Sequence, residues 1–264
     1  MLIIGELINA TRKKVREAIV ERDAAFLQDL AVRQAENGAD YIDVNVATGR
    51  GGEQEAADME WAVTAIQEAV DKPIAIDTAD LKVLTAGLQA HKGRAMINSV
   101  SAEAGRLEPF LEVIRAYGGI VVALPIRESI PPTAAERVAV CRTILDGALA
   151  AGLNADDLYF DALVLPLSVD TANPGQTLQT IRELKETGVR TVIGLSNISF
   201  GLPERDLLNR CFLAMALCAG LDAAILNPLD RGIMATVFAA EALVGSDPMC
   251  ARYLKAYRKG RLSG

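Results

Sequence analysis

The amino-acid sequence predicts an α/β protein that folds as a single (β/α)8 TIM barrel. Short apolar segments alternate with longer amphipathic ones along the chain, about 30 residues apart, as strands and helices do in such barrels. The chain has 264 residues, and a barrel of this kind takes up about 250. Its hydrophobic content is 51% with only 5% aromatic residues, a composition that favours aliphatic parallel strands covered by helices.

Each predicted strand is a short aliphatic segment that ends in a polar or turn-forming residue. A helical pattern follows each one, as in Ala25–Asn37, where Gly38 is placed to end the helix. The predicted strands are Leu2–Leu7, Tyr41–Val46, Ile74–Asp77, Ala95–Asn98, Ile120–Leu124, Leu158–Asp161, Thr191–Gly194 and Ala223–Leu226.

A doubly wound open sheet is the alternative arrangement of alternating strands and helices. Its dinucleotide-binding form carries a GxGxxG motif after the first strand, and this sequence has none there. The repeat count also favours a closed barrel. Because no stretch has the composition of a linker, we expect one domain that spans residues 1–264.

Charge and hydropathy limit the possible partners. The formal net charge is −7, which argues against a broad nucleic-acid surface. The basic stretches Thr11–Lys14 and Lys255–Arg261 are interpreted as a solvated helix start and a solvated tail. No apolar segment approaches the roughly 18 residues of a membrane span, and the first residues do not have the pattern of a signal peptide. We therefore expect a soluble, cytoplasmic protein.

The thiols and the single histidine exclude several kinds of chemistry. Cys141, Cys211, Cys218 and Cys250 have no CxxC spacing, and we expect them to be buried, reduced thiols. His91 is the only histidine and is expected on the surface, so a histidine-based triad or zinc site is not predicted.

Carboxylate and carboxamide side chains collect at the ends of the predicted strands. In a TIM barrel these ends meet in one cup, where the chemistry takes place. Aspartate and asparagine also cap helices and form turns, but so many in one cup indicate a function. The candidate residues are Glu6, Asn9, Asp43, Asn45, Asp77, Asn98, Asp161, Ser196, Asn197 and Asn227.

Such a cup suits an uncharged heterocycle that carries many hydrogen-bond donors and acceptors. A pterin fits, because one carboxylate can accept both N3–H and the 2-amino group. Three carboxylates on successive strands, from Glu6 to Asp77, could instead hold magnesium, but the fourth strand ends in Asn98 and the fifth is apolar. We predict no metal site.

Six segments in order resemble the methyltetrahydrofolate–corrinoid methyltransferase family over nearly the whole chain. That family comprises the acetyl-CoA-pathway methyltransferase, the folate domain of cobalamin-dependent methionine synthase and the folate enzymes of anaerobic demethylation systems. The segments are Gly5-Glu6-Leu7-Ile8-Asn9, Asp43-Val44-Asn45-Val46, Ile76-Asp77-Thr78, Ala95-Met96-Ile97-Asn98-Ser99, Phe160-Asp161 with Leu165-Pro166, and Gly194-Leu195-Ser196-Asn197-Ile198-Ser199.

The resemblance implies a pterin-binding barrel like that of dihydropteroate synthase and assigns roles to particular residues. The pterin would be bound by the carboxylate and amide side chains of Asp77, Asn98 and Asp161. Asn197 would approach N5, the atom that carries the methyl group, and we predict catalytic roles for Asn197 and, through water, for Asp161. The resemblance also matches Arg205 to a family arginine near the pterin or the folate tail, with a place on a helix surface as the competing interpretation. We further predict folate contacts at Gly194 and Ser196 and, less directly, at Glu6, Asn9, Asp43, Asn45, Ser199 and Asn227.

The substrates that the resemblance implies are tetrahydrofolate or 5-methyltetrahydrofolate and the cobalt of a corrinoid (cobalamin). His91 stands outside a DxHxxG corrinoid-binding pattern, so we expect the corrinoid on a separate partner protein. Family members are commonly homodimers. Phe200 stands where the acetyl-CoA-pathway branch has a polar glutamine, a difference that slightly favours the demethylation branch, where tetrahydrofolate accepts the methyl group. The residues leave the reverse transfer, from methyltetrahydrofolate to the corrinoid, open as well.

Three alternative functions stay open from the sequence. One is another pterin-binding barrel enzyme related to dihydropteroate synthase, although the first loop lacks the signature of that enzyme. The second is a non-catalytic folate-binding subunit, against which Asn197 argues. The third is a magnesium-dependent lyase.

Overall fold

Eight parallel strands close into a barrel in the computed structural model, which describes residues 1–262. Each strand pairs with the next, and β1 pairs with β8 to close the sheet, as the sequence predicts. The strands are β1 (Leu2–Asn9), β2 (Tyr41–Asn45), β3 (Ile74–Asp77), β4 (Met96–Ser101), β5 (Ile120–Leu124), β6 (Leu158–Asp161), β7 (Arg190–Gly194) and β8 (Ala223–Leu226).

Helices surround the barrel on the outside. They are α1 (Lys13–Glu21), α2 (Ala24–Glu36), α3 (Gly52–Ala69), α4 (Leu81–Ala90), α5 (Leu107–Tyr117), α6 (Ala134–Ala150), α7 (Asn173–Glu186), α8 (Arg205–Ala219), α9 (Arg231–Leu243) and α10 (Ala251–Arg258). Local signals set several of their starts. Asp80 and Asp230 cap α4 and α9, and Thr133 with Glu136 forms a capping box at α6. No helix among residues 1–262 is both long and apolar enough to cross a membrane.

The interior of the barrel is filled by an apolar layer to which each strand contributes one residue. Strand side chains alternate between the inside and the outside, so this layer forms a continuous floor across the barrel. The layer consists of Ile4, Tyr41, Ala75, Met96, Val122, Tyr159, Val192 and Ala223. The outward-facing residues of the same strands, such as Ile76 and Phe160, pack against the helices.

Two strands depart from regular pairing at the end where the polar residues lie. The register between β1 and β2 shifts between Gly5 and Ile8, and that between β4 and β5 shifts between Asn98 and Val100. At the first shift the side chain of the fully buried Gln34 accepts a hydrogen bond from the Leu7 N–H, 3.0 Å away. Such irregularities redirect side chains, here next to Glu6 and Asn98. They also carry β1 and β4 beyond their predicted ends.

Two expectations about side-chain burial are wrong. Only Cys141 is buried; Cys211 and Cys218 are exposed on the outer side of α8, and Cys250 is exposed in the turn before α10. His91 is half-buried rather than on the surface, and its Nε2 accepts a hydrogen bond from the Ile74 N–H at 3.0 Å.

The C-terminal basic stretch is not a free tail. Lys255 lies within α10, and Arg261 donates a hydrogen bond to the carbonyl oxygen of Glu36 at 2.6 Å. Residues 263 and 264 lie outside the described residues.

Gly119, between α5 and β5, provides a test of how closely the barrel is packed. Its φ is +134°, and a Cβ atom there would lie 2.6 Å from the side chain of Ile97 and 2.9 Å from the carbonyl oxygen of Ala95. We expect Gly119→Ala to lower the free energy of unfolding by about 2 kcal/mol or more, measured by urea denaturation.

Gly175 provides the matched control. It lies in the first turn of α7 with open space around its Cα. Gly175→Ala should leave stability unchanged or raise it by about 0.5 kcal/mol. Equal effects of the two substitutions would contradict the packing described for Gly119.

Candidate functional site

A polar layer lies directly above the apolar floor, at the C-terminal ends of the strands. Each residue of this layer lies two positions after a floor residue in the same strand. Because side chains alternate along a strand, it faces the inside of the barrel like the floor residue. Seven of the eight such positions line one cavity of about 310 Å³. They are Glu6, Asp43, Asp77, Asn98, Asp161, Gly194 and Ile225; Leu124 is the eighth. The wall is completed by Asn9 at the end of β1 and by the loop residues Thr11, Arg12, Ser196 and Asn197.

Two carboxylate–carboxamide pairs orient the aspartates on one side of the cavity. The amide of Asn45 donates to Oδ2 of Asp77 at 3.0 Å, and the amide of Asn98 donates to Oδ1 of Asp43 at 3.1 Å. Each amide satisfies one carboxylate oxygen. Within residues 1–262 Oδ1 of Asp77 accepts no hydrogen bond, so it is available to a ligand.

Burial changes the acidity of these two aspartates. Desolvation raises the pKa of Asp77 to about 6, against the effect of the Asn45 hydrogen bond. Asp43 is more deeply buried, and desolvation together with the negative charge of Asp77 holds the pKa of Asp43 well above its usual range. Asp77 is therefore ionised at neutral pH, while Asp43 favours its protonated form more strongly.

Asp161 lies on the opposite side, at the end of β6. Its Oδ1 accepts a hydrogen bond from the Leu163 N–H at 2.7 Å. Desolvation raises the pKa of Asp161 to about 6, although the Leu163 N–H and the charge of Arg137 both act to lower it. At neutral pH this carboxylate is a second acceptor in the cavity.

Glu6 is held by groups from two other parts of the chain. The hydroxyl of Ser196 lies 2.9 and 2.8 Å from the two carboxylate oxygens, and Arg12 approaches Oε1 at 3.3 Å. Burial raises the pKa of Glu6, and Ser196, Arg12 and Arg205 oppose this effect. These contacts connect the loop after β1 to the loop after β7.

Asn197 differs from the other carboxamides of the wall because its side chain forms no hydrogen bond with residues 1–262. It is exposed and ends the short 3₁₀ turn Leu195–Asn197 that follows β7. Gly194 leaves room for it, since a Cβ atom at Gly194 would lie 3.2 Å from Nδ2 of Asn197. Both the donor and the acceptor of this amide are thus available to a ligand.

Four predicted site residues do not line the cavity. Asn45 acts through Asp77, and Arg205 donates to the carbonyl oxygen of Ser196 at 2.7 Å and to the hydroxyl of Ser199 at 3.0 Å. Ser199 is fully buried. Asn227 accepts a hydrogen bond from the Leu229 N–H and forms a turn. Phe200 is also absent from the wall, with 63% of its surface exposed.

Three wall residues were not predicted as site residues: Thr11, Arg12 and Ile225. Ile225 could have been found from the two-residue step along β8, because it follows the floor residue Ala223. Thr11 and Arg12 carry no such signal, since a polar basic turn before a helix is usually solvated.

The arrangement can bind a planar polar heterocycle. Ionised carboxylates accept from ring N–H and amino groups, and the carboxamides can either donate or accept. Within residues 1–262 no cluster of three or more histidine, cysteine, aspartate or glutamate side chains is arranged to hold a metal ion.

The chain belongs to the pterin binding enzymes, whose family model matches residues 5–227. Within that class it belongs to the methyltetrahydrofolate–corrinoid methyltransferases that its sequence resembles. It is 34% identical to the methylcorrinoid:tetrahydrofolate methyltransferase of Eubacterium limosum, over 99% of this chain and 98% of that protein.

Two methionine synthases match a smaller share of their own length. Those of Mycobacterium leprae and Mycobacterium tuberculosis are 35% and 34% identical over 88% of this chain, which spans only 21% of each. Among solved structures, the dihydropteroate synthase of Xanthomonas albilineans in complex with 7,8-dihydropteroate matches with a TM-score of 0.70, 94% coverage of both chains and 22% identity. At that identity the match establishes the fold alone, which agrees with the predicted class.

The raised pKa of Asp77 predicts a stability cost at neutral pH. The unfolded chain ionises Asp77 near its usual pKa of 3.8, and the native protein does so only near 6, so native stability falls as the pH rises through this range. We expect Asp77→Asn to remove this cost and raise the free energy of unfolding of the ligand-free protein by about 2 to 3 kcal/mol at pH 7.5.

Urea denaturation at several pH values between 4 and 7.5 measures this effect. The difference from the native sequence should shrink steadily as the pH falls toward 4. Asp71→Asn, which changes an exposed aspartate shortly before β3, is the control and should have little effect. A difference that does not depend on pH would rule out the ionisation of Asp77 as its cause.

Proposed function

We propose that this protein transfers a methyl group between the cobalt of a corrinoid, carried by a separate protein, and N5 of tetrahydrofolate. The observation that carries the proposal is a cavity in which Asp77, Asn98, Asp161 and Asn197 converge at one end of the barrel. The Eubacterium limosum methyltransferase supports it as a relative that matches over nearly its full length.

The cavity suits the pterin ring in both chemistry and size. Asp77 and Asp161 face each other as ionised acceptors at neutral pH, and the ring offers N3–H and a 2-amino group as donors. Asn98 borders the same space and presents its carboxamide oxygen. We assign Asp77, Asn98 and Asp161 to the pterin ring and Ser196, Asn9 and Arg12 to the adjoining wall.

We propose the direction from methylcorrinoid to tetrahydrofolate, which the name of the Eubacterium limosum methylcorrinoid:tetrahydrofolate methyltransferase supports for that relative. In this direction the N5 lone pair forms the new nitrogen–carbon bond, and the cobalt–carbon bond breaks with its electron pair left on cobalt. The N5 proton then leaves to solvent. The corrinoid supplies an electrophilic methyl group and accepts that electron pair.

Asn197 is the residue that we assign to N5. As N5 gains positive charge, its N–H becomes a stronger donor, and the carboxamide oxygen of Asn197 can accept from it. A hydrogen bond that strengthens in the transition state raises the rate more than it raises substrate affinity. Asp161 supports this step through water, because only one of its oxygens is engaged by the Leu163 N–H. In the reverse direction the same amide can donate to N5.

We further propose that residues 1–264 form one cytoplasmic barrel domain that acts as a homodimer. The continuous strand pairing around the barrel and the four free thiols support the domain and the reducing compartment. The homodimer rests on the family resemblance, and analytical ultracentrifugation of the purified protein determines the oligomeric state.

Binding and turnover assays test the proposed reaction. Calorimetry should detect binding of tetrahydrofolate and 5-methyltetrahydrofolate to the folded protein. Mixing methylcobalamin with tetrahydrofolate should give 5-methyltetrahydrofolate and cob(I)alamin, which absorbance follows under anaerobic conditions. Absence of binding of every reduced folate would overturn the proposal. Binding without transfer in either direction, with free cobalamin or a methylated corrinoid protein, would instead identify a folate-binding subunit.

We expect Asn197→Ala to reduce the rate constant at saturating tetrahydrofolate about 100-fold, since one well-placed transition-state hydrogen bond is worth about 3 kcal/mol. The KM for tetrahydrofolate should change much less. Single-turnover kinetics measure the effect on the chemical step. Asn37→Ala, which removes an amide at the C-terminal end of α2, should retain the full rate. An unchanged rate constant for Asn197→Ala would exclude the assigned role.

A further inference from the structure

Arg137 is a fully buried arginine that lies behind the cavity, in the first turns of α6. Its Nε donates to the carbonyl oxygen of Pro131 at 3.1 Å, and its Nη1 donates to those of Ala162 and Leu163 at 2.9 Å each. Nη2 is buried and has no hydrogen-bond partner among the described residues. A charged side chain is seldom buried without an ion pair, because its desolvation is costly.

The carbonyl oxygen of Leu163 receives a second donor from another helix. The hydroxyl of Thr177, buried in α7, lies 2.9 Å from it and 3.2 Å from the carbonyl oxygen of Asn173 in its own helix, so the shorter contact is to Leu163. Leu163 has a φ of +58°, in the left-handed region that residues with a side chain seldom adopt. Two donors from α6 and α7 therefore hold this turn in its unusual conformation.

The same turn determines which group contacts one carboxylate oxygen of Asp161. With its carbonyl held from behind, Leu163 points its N–H at Oδ1 of Asp161, 2.7 Å away. The positive charge of Arg137 also acts on Asp161 through the protein interior. Cys141, one turn further along α6, is a titratable neighbour of Asp161, and it stays neutral because its pKa is raised to about 12. On the cavity side Glu6, Asp43 and Asp77 are the acidic groups.

We propose that Arg137 and Thr177 are positioning residues for Asp161, and this inference rests on the proposed function because it treats Asp161 as a folate ligand. They clamp the Ala162–Leu163 turn, so one oxygen of Asp161 is occupied by the Leu163 N–H and the other faces the ligand. The guanidinium supplies a positive charge that favours the ionised form of Asp161. Neither side chain lines the cavity.

A purely structural role for Arg137 would predict a different result. Loss of packing would weaken folate binding by the same factor at every pH. Loss of the charge would weaken it mainly at low pH, because removing Arg137 should raise the pKa of Asp161 from about 6 by about one unit.

The direct test is the titration of Asp161 in the ligand-free protein. NMR of protein labelled with ¹³C at the aspartate carboxyl carbon follows it, and Asp161→Asn identifies the signal. Arg137→Met should move the midpoint to higher pH by about one unit, whereas Arg137→Lys, which keeps the charge, should move it less. Arg142→Met, which removes an exposed arginine of the same helix, should leave it unchanged.

The pH dependence of tetrahydrofolate binding tests whether the ionisation of Asp161 affects the proposed function. At pH 8 the affinity of Arg137→Met for tetrahydrofolate should be close to that of the native sequence, and at pH 6 it should be about five-fold weaker. An unchanged Asp161 midpoint in folded Arg137→Met, or equal midpoints in the Met and Lys variants, would overturn the inference.

Thr177→Val keeps the inference testable where Arg137→Met does not fold. This substitution removes one of the two donors to the Leu163 carbonyl and leaves the charge of Arg137 in place. The titration midpoint of Asp161 should therefore rise by less than in Arg137→Met. An unchanged midpoint would refute the role assigned to Thr177. The NMR titration needs no ligand. A native protein that binds no folate would therefore overturn the proposed function and not this result.

Discussion

The alternation of side chains along the eight closed strands is the constraint on which the other features of this protein depend. One residue of each strand contributes to an apolar floor, and the residue two positions further on faces the same way above it. Seven of those eight positions border a single cavity. Strand pairing therefore determines where the acids and amides stand. The packing of the barrel stabilises the native state against the desolvation of these groups.

Burial then gives similar carboxylates different protonation behaviour. Asp77 and Asp161 titrate near pH 6, and Asp43, which has Asp77 as a negative neighbour, holds its proton more strongly. A cavity lined by four acids thus carries less negative charge at neutral pH than its composition indicates. It offers both acceptors and an acid donor to an uncharged ring. Pairing with Asn45 and Asn98 keeps the two neighbouring aspartates in fixed orientations.

Local signals along the chain were sufficient to predict the eight strands and most of the wall. A buried strand is apolar over its length, and the change to Asp or Asn at its end is visible in the sequence, as at Asp77 and Asp161. What depends on tertiary contacts was not visible. In the sequence Arg12 has the pattern of a solvated basic residue, and only the folded chain shows its ion pair with Glu6. Arg137 likewise has the pattern of a surface residue of a helix, and its burial depends on the contact with the carbonyl oxygen of Leu163.

The apolar floor has a consequence for the order of events. A cavity closed from below opens at the C-terminal ends of the strands, and in a protein that acts as proposed, folate and the corrinoid-bearing partner both approach from that end. Tetrahydrofolate has to bind before the corrinoid protein covers the opening. The methylated folate can dissociate only after the corrinoid protein has left. Dissociation of the partner protein would then be a required step of every catalytic cycle, however fast the methyl transfer itself is.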